Sequence, residues 1–364
     1  MIHLSSRLSY IDFFRGIAIL AVTEFHLWRY LGRPSYKIWI YDLFAPFERG
    51  RYGVDLFFFI SGFCMAMTVY KYREIVMTSA FYQSYILKRI IRIVPAYYVA
   101  IIVWNILLAN GVTPNTRHNV EDNVLHLLFL HNLFPSTLYS VSGVMWSLAT
   151  EMQFYIIFPL VFVLCLRHLW LMILTFGGLT IYLNFYLIPK IVESGYNAYR
   201  EVMLNSLINH LILFILGIGG YLYKEKIVKI FRNKVIFWAY VLITLHFLFA
   251  DRIVVPQGFV NHVVIGAMLG LLMVALSNKN FEPITCRVIS RIGLYSYSIY
   301  LYNYIFYIHA KPVYTGVAGW IIYNIVVLAS GIFMYYAVEK PAQWLKRFNK
   351  INDSITEKQS IKNA

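Results

Sequence analysis

The chain has 364 residues, 60% of them hydrophobic and only 13% charged. A soluble domain carries about a quarter charged residues, so a soluble globular protein is excluded. The net charge of +15 sits in loops and in the tail, which is positive-inside bias rather than a nucleic-acid-binding surface.

Apolar runs of ~20 residues recur along the chain without period-two alternation, which predicts an all-α polytopic membrane protein and not a β-barrel. Ten spans are predicted around a central cavity, near 10–31, 52–71, 91–110, 144–166, 169–188, 204–223, 235–250, 258–277, 292–310 and 317–338. Lys and Arg concentrate in the termini and even-numbered connections, which places both termini in the cytoplasm and the protein in the cell (inner) membrane. Residues 1–340 read as one membrane domain and 341–364 as a short polar cytoplasmic tail. Cys64, Cys165 and Cys286 form no C-x-x-C pair, so neither a disulfide framework nor a metal site is expected. The first apolar segment is too long for a signal-peptide core and lacks an Ala-x-Ala site, so its retention is expected.

That first span holds Asp12, Arg15, Glu24 and His26. Arg15 and His26 are eleven residues apart, within roughly 20° of three helical turns, so they share a face about 16 Å apart. Ionisable groups in a span are costly and mark function by default. The plainer alternative is a snorkelling arginine and an end-capping histidine. The external connection 32–51 breaks the charge rule with Arg33, Lys37, Arg49 and Arg51; it either binds an anionic acceptor or is compensated by Asp42 and Glu48. In the second span, Asp55 either pairs with an arginine or caps the helix start. Ser61 and Gly62 suit close helix approach.

Arg89 and Arg92, at the start of the third span, lie i,i+3 on one face. Two guanidinium forks there suit a phosphate-rich ligand, with headgroup contact as the alternative. Segment 121–134 is too short to cross and reads as re-entrant or interfacial. The fourth span opens with Trp146, Ser147, Thr150 and Glu151. Glu151 needs a partner, and His26 at the same outer level would supply one. A His–Glu pair orients an imidazole as a general base; a structural ion pair is the rival reading. Ser296, Ser298 and several tyrosines make the ninth span polar, for helix hydrogen bonding or for lining a cavity. His210, His246, His262 and His309 are isolated in sequence and carry no predicted role, and His126 and His131 lack ligand spacing.

In order along the chain stand Asp12-x-x-Arg15-Gly16 with His26, Gly53-Val-Asp-Leu-Phe-Phe-x-x-Ser61-Gly62 and Arg89-x-x-Arg92. Trp146-Ser-Leu-x-x-Glu151-x-Gln153-Phe-Tyr, Ser296-Tyr-Ser-x-Tyr-Leu and Glu339-Lys-Pro341 follow. This series resembles the acyltransferase-3 family of membrane acyltransferases. The resemblance implies transfer of an acyl group, usually acetyl, from cytoplasmic acyl-CoA to a hydroxyl of an extracytoplasmic or lipid-linked glycan. No tightly bound cofactor is expected, with acetyl-CoA as donor substrate. It implies His26 and Glu151 as catalytic and Arg15, Arg89 and Arg92 as donor-binding, with Asp12, Asp55, Ser61, Trp146, Ser147 and Ser296 in support. Many members carry a His-containing pair in the ninth span, where this chain has Tyr302-Asn303. The competing class is a proton-coupled sugar or organic-acid transporter using His26, Glu151 and Asp55 as a relay; no inverted halves are visible in the sequence.

Overall fold

The apolar runs become helices because a backbone in hydrocarbon must bond to itself. The computed structural model describes residues 9–111, 119–250, 259–279, 284–309 and 316–344. The tail beyond 344 lies outside the described residues. The principal helices are α1 (Ser9–Tyr30), α2 (Gly53–Val69), α3 (Ser79–Ala109), α4 (Val120–Leu127) and α5 (Trp146–Tyr182). They continue with α6 (Leu207–Leu222), α7 (Lys234–Phe249), α8 (Phe259–Ala275), α9 (Ile284–Leu294), α10 (Ser296–His309) and α11 (Gly316–Met334).

Among the described residues, five helical stretches are long and apolar enough to cross a membrane: Ala45–Tyr72, Ser79–Ala109, Trp146–Glu193, Asn197–Leu222 and Gly316–Ala342. The 48-residue stretch Trp146–Glu193 would measure about 70 Å if straight, more than twice the hydrocarbon thickness. It breaks at His168 (φ −141°, ψ 46°), between the two spans predicted there. α1 is 22 residues long but carries four charged side chains.

α2 is the hub, packing on α1, α5, α6 and α8. It is apolar almost all round, as a central helix must be. Its closest crossing is with α6. A Cβ on Gly62 would overlap the Phe214 carbonyl, and one on Gly217 would overlap the Phe59 carbonyl. Only glycine at both positions lets the backbones meet, which gives the predicted small-residue role of Gly62 a partner. α3 packs on α5 and α10, and α10 on α11.

The predicted interfacial segment is the short helix α4. Its capping box joins Asn119 and Asp122, and a 3-10 turn His131–Leu133 follows. Gln153 of α5 holds the end of this segment, donating to the Phe129 carbonyl at 2.9 Å and to Asn132 Oδ1 at 2.7 Å.

In connection 32–51, two-residue strands Lys37–Ile38 and Tyr41–Asp42 pair antiparallel. Asp42 accepts from Ser35 Oγ and from the Tyr36 and Phe44 backbone amides. Arg49 is buried and donates to the Leu248 and Ala250 carbonyls, both at 2.6 Å. It neutralises the C-terminal end of α7. Arg49 is therefore a structural clamp and is not displayed for an acceptor.

Candidate active site

Helical periodicity gathers the polar residues of five helices around one cavity of about 860 Å³, counting its open mouth. α5 contributes Ser147, Glu151 and Tyr155, which are i, i+4 and i+8 on one face. α3 contributes Arg89, Arg92 and Ile93; α2 contributes Ser61, Cys64 and Met65; α1 contributes Arg15; α10 contributes Ser296, Tyr297 and Tyr300. All three arginines singled out by the sequence thus share one wall, together with Glu151.

Glu151 Oε1 accepts from Ser61 Oγ and from Tyr155 Oη, both at 2.5 Å. The Tyr155 ring in turn lies 5.7 Å from the Arg89 guanidinium carbon, and the Tyr85 ring 5.9 Å from it. A cation over ring faces in an apolar setting is stabilised by the ring quadrupoles. At the other end, Ser147 Oγ lies 2.7 Å from Tyr300 Oη, and Tyr300 donates to the Val144 carbonyl at 2.8 Å. Three cations and one carboxylate leave a net positive, largely desolvated chamber suited to an anionic ligand.

His26 lies outside this wall. Its ring packs on Phe25 (5.2 Å between centroids) and on Tyr304 (5.3 Å). Tyr304 is one turn along α10 from Tyr300, so His26 sits just beyond the Ser147–Tyr300 layer. The predicted His26–Glu151 pair is not among the contacts the structure describes; those of Glu151 run to Ser61 and Tyr155. Asp12 is buried one turn before Arg15, also outside the cavity wall.

A second cavity of about 1590 Å³, counting its open mouth, abuts the first. Val54 lines both, and the consecutive residues Trp146 and Ser147 face one each. Arg51, Asp55, Asn184, Arg200, His210 and His262 are among its lining. Here two expectations are corrected. Asp55 stands in the first turn of α2, as a helix-start carboxylate would, but among the described residues its ion-pair partners are histidines and not an arginine: its Oδ1 lies 3.3 Å from His210 Nδ1 and 3.1 Å from His262 Nδ1. His210 and His262, given no role from sequence, meet on it. They come from helices remote in the chain, so no spacing could have signalled them. Trp146 stacks on His210 at 5.5 Å.

Ser298 donates to Glu339 Oε2 at 2.8 Å. The Ser296-Tyr-Ser and Glu339-Lys-Pro segments are thereby clasped, and Ser296 is held against the cavity.

A family model described as an acyltransferase domain, acyltransferase-3, matches residues 8–348. The chain is 26% identical over 267 residues to Nodulation protein 10 of Rhizobium leguminosarum bv. viciae, covering 65% of this chain and 65% of that protein. It is 26% identical over 166 residues to a peptidoglycan O-acetyltransferase of Listeria monocytogenes, covering 41% of this chain and 23% of that protein. The matches thus span less than two thirds of either relative. No solved structure matches the chain.

Proposed function

The chain belongs to the acyltransferase-3 family, and from that premise we propose that it is a membrane O-acyltransferase. It takes an acyl group, in our reading acetyl, from cytoplasmic acyl-CoA and passes it to a hydroxyl of an extracytoplasmic or lipid-linked glycan. The observation that carries this reading is the shared wall of Arg15, Arg89 and Arg92 with Glu151. Coenzyme A brings several phosphate charges to one end of a thin, uncharged arm. Guanidinium forks suit the phosphates, and an apolar chamber suits the arm. The name of the Listeria relative supports an acetyl donor and a glycan acceptor.

In this mechanism the donor phosphates engage Arg89 and Arg92, and Arg15 extends the basic path inward. Glu151 offsets part of that charge and orients the Ser61 and Tyr155 hydroxyls beside the donor. The acceptor hydroxyl approaches from the His26 side and loses its proton to His26 as it attacks the thioester carbon; the C–S bond then breaks and coenzyme A leaves as the thiol, taking the proton that His26 accepted. A variant passes the acyl group first to His26. We read the ten apolar runs of the sequence as ten spans with both termini cytoplasmic, which puts the arginines toward the donor side.

The test is transfer of labelled acetyl from acetyl-CoA by purified protein to a surface-glycan acceptor fraction, with mass spectrometry of the product. Transfer abolished by His26→Ala, with coenzyme A binding retained, supports the scheme. Unchanged transfer in that variant removes His26 as base. Acyl label retained on wild-type protein without acceptor selects the two-step variant.

A further inference from the structure

The geometry points to a transition-metal site of the zinc class formed by Asp55, His210 and His262 at the second cavity. Three helices, α2, α6 and α8, each supply one ligand. The side chains are 5%, 7% and 12% exposed, respectively, and their ligand atoms all lie within 4.8 Å of one another. Around a tetrahedral zinc ion with bonds of about 2.0–2.1 Å, neighbouring ligand atoms stand about 3.3–3.4 Å apart. The two Asp55 oxygen-to-nitrogen separations, 3.3 and 3.1 Å, are close to two edges of such a tetrahedron, and the third edge lies within 4.8 Å.

Both imidazoles present Nδ1 to the same carboxylate oxygen, Oδ1. Two neutral nitrogens and one carboxylate oxygen suit zinc over magnesium or calcium, which take oxygen ligands. With three protein ligands a fourth position would stay open, as in catalytic rather than structural zinc sites, and all three residues line the second cavity.

The surroundings fix the ligands. His210 is gripped between Trp146, stacked at 5.5 Å, and Phe58 at 5.0 Å. Gly266, one turn beyond His262 on α8, faces the Asp55 Cβ so closely that a side chain would overlap it; this brings His262 within reach. Apolar packing of this kind orients ligands and raises the strength of charge–metal attraction. A water or an acceptor hydroxyl bound at the open position would be more acidic than in bulk.

The inference is independent of the proposed acyl transfer, and so is its test. The full chain, carrying an affinity tag without histidine, is purified in detergent, equilibrated with zinc, passed into metal-free buffer and assayed for metal. About one ion per chain is expected in the wild type, with at least a tenfold loss in Asp55→Asn and His262→Ala and none in His246→Ala. Cobalt exchanged into the wild type is expected to give the intense visible bands of four-coordinate Co²⁺. Because the variants could fail to fold, the wild type decides. Wild-type protein that keeps no ion, or cobalt bands that persist unchanged in a monodisperse Asp55→Asn preparation, would overturn the site. In that outcome Asp55 is a hydrogen-bond acceptor between two histidines.

Discussion

Tyr155 ties Glu151 to Arg89: its hydroxyl donates to the Glu151 carboxylate at 2.5 Å, while its ring lies 5.7 Å from the Arg89 guanidinium. One side chain thus couples the anion of the cavity to a cation that sequence spacing had placed only on a common face with Arg92. Glu151→Gln keeps the shape and removes the charge, so it is expected to lower kcat by about 100-fold while leaving KM for acyl-CoA within a few-fold. Tyr155→Phe removes one hydrogen bond and is expected to cost about tenfold. A separate determination of kcat and KM checks both. A rise in KM with kcat unchanged would assign Glu151 to binding alone.

Cys64 lines the same cavity, whereas Cys165 is buried in the core. In a variant keeping Cys64 as its one thiol, a small alkylating reagent is expected to label it, and coenzyme A to protect it by about tenfold in rate. Labelling indifferent to coenzyme A would separate the thiol from the donor path.

The α2–α6 crossing depends on Gly62 and Gly217. Gly62→Val inserts atoms where the Phe214 carbonyl already stands. Overpacking of this kind costs about 1–3 kcal/mol or more, so the variant is expected to melt several degrees lower and to lose activity. Thermal unfolding in detergent checks it. A wild-type melting temperature would mean that the helices part without cost.

The His126 and His131 rings stack at 3.7 Å between centroids. His126 Nδ1 donates to the Asp122 carbonyl at 2.7 Å. Burial pushes His126 down to about 4 and His131 well below its ordinary 6.5. The unfolded chain therefore binds more protons than the folded one as pH falls from 6.5 toward 4. The contribution of these rings is complete above 6.5 and is lost across that window. Stability is expected to decline with acidification over that range, and His126→Gln to flatten the decline. Melting temperatures at stepped pH values measure it.

Legibility from sequence divides along physical lines. Helices and their faces were legible because periodicity is local: Ser147 and Glu151 share a face by spacing, as do Arg89 and Arg92. The break at His168 was legible because no single apolar helix that long fits a bilayer. Partners between helices were not. The contacts of Glu151 to Ser61 and of Asp55 to His210 and His262 depend on which helices adjoin α2, and that is set by backbone approach at glycines. Arg49 was misleading because charge counting treats a loop arginine as exposed, whereas the carbonyls at the end of α7 draw this one inside.

The central claim is that Arg15, Arg89 and Arg92 form the donor site. It is tested most directly by calorimetric titration of acetyl-CoA into the purified protein, wild type against Arg89→Gln and Arg92→Gln. Hydrogen bonds to charged groups contribute about 1.5–3 kcal/mol each, so each variant is predicted to bind about 10- to 100-fold more weakly. Binding is also predicted to weaken steeply with added salt. Undiminished affinity in both variants, at matched salt and with the fold intact, would contradict the account.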